Sequence, residues 1–132
     1  MAKRNANRPV RAAYDRLHAK AVSAYRRISA DDRILITIGT ATCGRAAGAL
    51  DTLQTLRDEL EHRKIDATLA EVGCRGYCYA EPMAVISKPG FPPICYGYVT
   101  PGVAGRLVSD FIVGGDPCLE FALGALEEND QI

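Results

Sequence analysis

The sequence predicts a small α/β protein: a mixed, four-stranded sheet flanked by helices, with one extra amphipathic helix ahead of it. Short apolar runs at 34–38, 65–72, 83–87 and 94–99 have the length of strands, and apolar residues recurring at spacings of three and four mark helices around them. A helix separates the first two strands, so a right-handed crossover sets them parallel. Only the six residues from Lys88 to Pro93 join the last two, so these form an antiparallel hairpin.

A chain of 132 residues supports one domain with a modest core, and 48% apolar with 24% charged residues is ordinary for a soluble globular protein. No apolar run approaches the ~20 residues of a membrane span, and the residues after Met1 are charged rather than a hydrophobic signal core. The expected location is cytoplasmic, without direct membrane insertion. Net charge is zero, yet residues 1–30 hold eight Lys or Arg and a single acid, Asp15. The organisation is therefore a basic arm and helix (1–30), a body (31–115) and an acidic tail (116–132). No nucleic-acid-binding motif or aromatic platform accompanies the arm, so it is expected to dock on an acidic protein surface.

Residues 1–8 carry charge and little to bury, and are expected to be disordered. Val10, Tyr14, Leu17, Ala21, Tyr25 and Ile28 then share one face of a helix that should pack on another surface. His18 within it reads as an interfacial or solvated residue. After a polar link, Ile34 to Ile38 form a continuous apolar run, as for a strand covered on both faces. Ala46, Ala47, Leu50, Leu53, Leu56 and Leu60 mark a helix ending near Arg63. The alternation of Ile65, Ala67 and Leu69 with polar residues gives the second strand, and Met83–Ser87 and Ile94–Val99 give the hairpin. Thr100 caps a last helix with Pro101 at its first turn, and Gly114 and Gly115 stop it. The tail from Asp116 reads as a short docked helix or a segment for a partner.

The chemistry is concentrated in two loops. Gly73-Cys74-Arg75-Gly76-Tyr77-Cys78 follows the second strand, and Cys43 lies in the loop after the first. Parallel strands put both loops at one sheet end, so Cys43 comes within reach of Cys74 and Cys78. Thiolates are the ligands that soft metals and iron-sulfur clusters prefer, and Gly44, Gly73 and Gly76 leave room for amides to approach sulfur. Five cysteines is an odd number, which speaks against a complete disulfide framework.

The element order matches the thioredoxin-like fold, and the motifs resemble a known family. Gly39-Thr40-Ala41-Thr42-Cys43-Gly44 with Ala47-Gly48-Ala49, the Cys74–Cys78 loop with Glu81-Pro82, and Tyr96-Gly97-Tyr98-Val99-Thr100-Pro101 are similar to the thioredoxin-like [2Fe-2S] ferredoxin domain. That domain forms the amino-terminal part of NADH-binding (diaphorase) subunits of NADH dehydrogenases, NAD-linked formate dehydrogenases and multisubunit hydrogenases. The resemblance runs from about Ile34 to Gly115, and Gly115 to Gly124 look like the linker after the domain. It implies a [2Fe-2S] cluster on Cys43, Cys74 and Cys78 and a cis peptide before Pro82.

No dinucleotide-binding fingerprint is present, so the resemblance implies a separate subunit of a hetero-oligomeric oxidoreductase. It would relay single electrons to or from a partner that binds flavin (FMN) and NAD, and would be an accessory subunit rather than a stand-alone catalyst. A cluster of this type needs four ligands, and the family's frequent upstream cysteine position holds Ile38. Cys95 is a poor fourth ligand near the hairpin turn, and Cys118 serves only if the tail folds back. The alternatives are a cluster-free structural adaptor of the same kind of complex, or a zinc site, for which His62 lies far along a helix. No Cys-x-x-Cys motif opens a helix, and no Ser/His/acid constellation suggests a hydrolase.

Overall fold

The computed structural model describes residues 8–28 and 32–126. The expectations for residues 1–7, for most of the link at 29–31 and for the acidic end from 127 lie outside these. The chain divides into two compact units, Met1–Asp31 and Asp32–Ile132. No helix among the described residues is long and apolar enough to cross a membrane.

In the first unit, helix α1 runs over Arg8–Ile28. Arg11 pairs with Asp15 at 3.1 Å one turn later, and Tyr14 stacks on His18. The apolar residues Val10, Tyr14, Leu17 and Tyr25 are exposed. The expectation that Tyr14, Leu17 and Ala21 are buried therefore needs a surface beyond this unit.

The second unit is a five-stranded sheet in the order β2-β1-β3-β4-β5, with β1 (Ile34–Gly39) parallel to β2 (Ala67–Val72). β3 (Ala84–Ser87) lies antiparallel to β1, and β4 (Ile94–Tyr96) antiparallel to β3. The alternation along β1 sorts its residues between two faces. Ile36 and Ile38 enter a core with Ala84, Ile86, Ile94 and Tyr96, whereas Leu35 and Thr37 on the other face are half-buried. So β1 is not covered equally on both faces. The core face is closed by helix α3 (Ala49–His62) through Leu53, Leu56 and Leu60, packed beside α4 (Pro101–Arg106). Thr52 ties α3 to the sheet end, its buried hydroxyl donating to the Val99 carbonyl at 2.6 Å.

Three further features differ from the sequence expectation. The helix expected from Ala46 is two pieces, α2 (Thr42–Ala46) and α3, because the chain turns at Gly48 with φ +93. The last helix begins as expected, with the Thr100 hydroxyl accepting from the Val103 amide, but its second half (Leu107–Val113) is a π-helical stretch. The tail supplies a fifth strand, β5 (Ala122–Ala125), antiparallel to β4. In the tail's path to that edge, Cys118 takes φ +49 and enters the core, and the Tyr96 hydroxyl donates to the Pro117 carbonyl.

Candidate metal centre

The register of β1 and β2 ends with Gly39 opposite Val72. The pairing continues one step beyond the strands, where the Thr40 amide donates to the Val72 carbonyl at 3.0 Å. The Cys43 and Cys74 loops thus leave adjacent strand ends, as the parallel topology requires. The Gly39 amide donates to the Met83 carbonyl at 3.1 Å, which brings the start of β3 to the same place. The Glu81–Pro82 peptide is cis, in keeping with the resemblance.

Cys74 and Cys78 are brought together, with their sulfurs 3.5 Å apart. Gly76 makes this possible: it adopts φ +89 between them, and its amide donates to the Cys74 sulfur at 3.2 Å. Two sulfurs on one tetrahedral metal at about 2.3 Å each would stand about 3.8 Å apart, so the pair has the spacing of two corners of such a centre. Cys43, Cys74 and Cys78 are all exposed.

Cys43 lies in the neighbouring loop, within α2, and is not grouped with the pair. Among the described residues no three His, Cys, Asp or Glu side chains stand close enough to hold a metal ion. Cys95 and Cys118 are buried elsewhere. Cys95 packs with Ala80, Met83 and Val85, and Cys118 sits in the main core although the tail does fold back. Burial pushes both thiols above their ordinary pKa; Arg75 opposes this at Cys95, and Asp116 adds to it at Cys118. His62 ends α3.

The three glycines serve different purposes. Gly44 is buried where α2 turns back on the end of β1, and a Cβ there would stand 3.0 Å from the Gly39 carbonyl carbon and closer still to its oxygen. Gly44 therefore permits a close backbone approach within its own loop. Gly76 is needed for its φ, whereas a Cβ on Gly73 would meet open space.

Two side chains that the sequence places only within motifs also shape the site. Arg75 reaches across the half-open sheet face to Thr37, at 3.3 Å. Glu81 is buried, and its carboxylate lies against the positions that Cβ atoms on Gly39 and Gly44 would take. The signal for Glu81 was a lone acid in the otherwise apolar stretch from Ala80 to Ile86.

No protein-family profile matches the chain. Among curated proteins, it is 30% identical over 93 residues to the NADP-reducing hydrogenase subunit HndB of Solidesulfovibrio fructosivorans, covering 70% of this chain and 74% of that one. The chain belongs to the HndB family. Solved structures show the fold. One structure of the thioredoxin-like [2Fe-2S] ferredoxin from Aquifex aeolicus superposes with a TM-score of 0.63 at 13% identity, over 76% of this chain and 99% of that one. A second, of the wild-type ferredoxin, gives 0.61 at 15% identity over 70% and 98%. The body of this HndB-family chain is thus a thioredoxin-like ferredoxin fold, and the Cys74–Cys78 pair stands in the connection between its edge strand β2 and its central strand β3.

Proposed function

We propose that the chain is an electron-transfer subunit in which Cys43, Cys74 and Cys78 bind a [2Fe-2S] cluster, in a complex with a flavin- and NAD-binding partner. The observation that carries this reading is the Cys74–Cys78 pair, preorganised at 3.5 Å around Gly76 in a ferredoxin-like fold. A bound cluster would supply one-electron redox chemistry. Cys74 and Cys78 would hold one side of it, and the Gly76 amide would stabilise the thiolate at Cys74. Cys43 is assigned as the third ligand because its loop leaves the neighbouring strand end. Five free cysteines suit a reducing, cytoplasmic setting. The exposed apolar stripe and basic residues of α1 suit docking on the partner.

The absence of a gathered third ligand among the described residues favours one second reading, a cluster-free adaptor subunit. Anaerobic purification separates the two. Brown protein with a reduced-state paramagnetic resonance signal is expected, abolished or strongly altered by Cys74→Ser or Cys78→Ser and nearly intact in Cys95→Ser. Colourless protein whose three loop thiols alkylate freely within the intact complex would sink the cluster reading.

A further inference from the structure

Glu81 is the only buried acid among the described residues, at 8% exposure. It follows the short 3-10 turn Cys78–Ala80, so its backbone belongs to the Cys74–Cys78 loop. Its side chain reaches the other loop. Oε2 accepts the Met83 amide at 2.9 Å and lies 3.3 Å from the Cβ position of Gly44, while Oε1 lies 3.4 Å from that of Gly39. One carboxylate thus fills the space between the Cys43 loop and the chain leaving Cys78.

Among the described residues none of the salt bridges includes Glu81. The field of a charge in a low-dielectric interior is weakly screened. That field reaches beyond the loops, since it adds to the upward shift of the Cys95 thiol.

We propose that Glu81 is a positioning residue for the candidate centre: it braces the Cys43 loop against the Cys78 loop, and its charge disfavours addition of an electron there. The second half of this inference rests on the cluster reading, whereas the first does not. Reduction places a further negative charge beside the buried carboxylate, so the oxidised form is favoured while Glu81 is present, and net charge near a cluster is one of the levers on its potential.

The test uses the full chain with Glu81→Gln, which keeps size and an acceptor for the Met83 amide, and Glu81→Ala, which removes both. In the cluster-free protein, amide hydrogen exchange is followed at Thr40, Arg45 and Ala47, whose amides are hydrogen-bonded within or beside the Cys43 loop. Exchange there should quicken severalfold in Glu81→Ala and stay near wild type in Glu81→Gln. Protein reconstituted anaerobically with ferrous iron and sulfide is then titrated by visible absorbance. Glu81→Gln should shift the reduction equilibrium at least tenfold towards the reduced form, about 59 mV for one electron. If Glu81→Ala leaves exchange of the Cys43 loop unchanged, the brace is overturned, and an unshifted titration in Glu81→Gln overturns the charge effect. Wild-type protein that takes up no iron and sulfide would refute the cluster reading and the charge effect with it, and hydrogen exchange would still decide the brace.

Discussion

Replacing Gly44 by Ala tests whether the Cys43 loop is built by close backbone packing. The new Cβ would stand 3.0 Å from the Gly39 carbonyl carbon, nearer still to its oxygen, and 3.3 Å from Glu81 Oε2. The two nearest atoms are backbone at the end of β1, which is held by the hydrogen bonds that the Gly39 amide donates to the Met83 carbonyl and the Thr40 amide to the Val72 carbonyl. Neither can move without loosening the strand ends. Inserting a methyl group into such a site costs about 1–3 kcal/mol. The gain in helix propensity from Gly to Ala, at most ~1 kcal/mol, does not offset this in a five-residue helix. A net loss of about 1–2 kcal/mol is expected, or roughly 4 °C or more in Tm for a body of this size. Urea unfolding of the cluster-free chain measures it, with Gly73→Ala as a control whose Cβ meets nothing within 4 Å. If Gly44→Ala proves as stable as Gly73→Ala, the close-approach account of this loop is wrong.

Thr52→Val keeps shape but leaves the buried Val99 carbonyl without the hydroxyl that donates to it at 2.6 Å, so urea unfolding should show a loss of about 1–3 kcal/mol. Burial raises the Cys95 and Cys118 thiols above their ordinary value of 9.0, so the folded chain keeps protons there that the unfolded chain releases. This contribution is complete below the unfolded pKa and is lost as pH rises from there through the raised folded pKa, so Tm should decline above about pH 9 and less steeply in Cys118→Ala, measured relative to that variant's own value at pH 7. At pH 8, iodoacetamide should modify the exposed Cys43, Cys74 and Cys78 of the cluster-free chain well before Cys95 and Cys118, as peptide mass spectrometry would record. Deleting residues 1–30 should leave the body folded by circular dichroism and weaken assembly with the flavin-binding partner; unchanged affinity would remove α1 from the interface.

What the sequence determined by itself was whatever depends on local pattern. The apolar runs of β1, β3 and β4, the Thr100 cap with Pro101, and the stop at Gly114 and Gly115 are encoded within a few residues of where they act. The Cys74–Cys78 pairing also belongs here, because a glycine at the turn sets the spacing. Parallel pairing of β1 with β2 followed from chain connection alone. The tertiary structure decided what depends on a distant partner. Ala122–Ala125 carries two Ala and a Gly, a weak strand pattern, and becomes β5 because β4 leaves an edge whose amides and carbonyls need partners. Gly44 and Glu81 enter the sequence reading only as parts of motifs; the turn of α2 back onto the end of β1 makes the first a close-approach point, and the meeting of the β1 and β3 ends buries the second between two loops. Local pattern reaches only as far as the neighbouring turns, whereas the Cys43 loop is held to the ends of β2 and β3 by the Thr40–Val72 and Gly39–Met83 backbone hydrogen bonds.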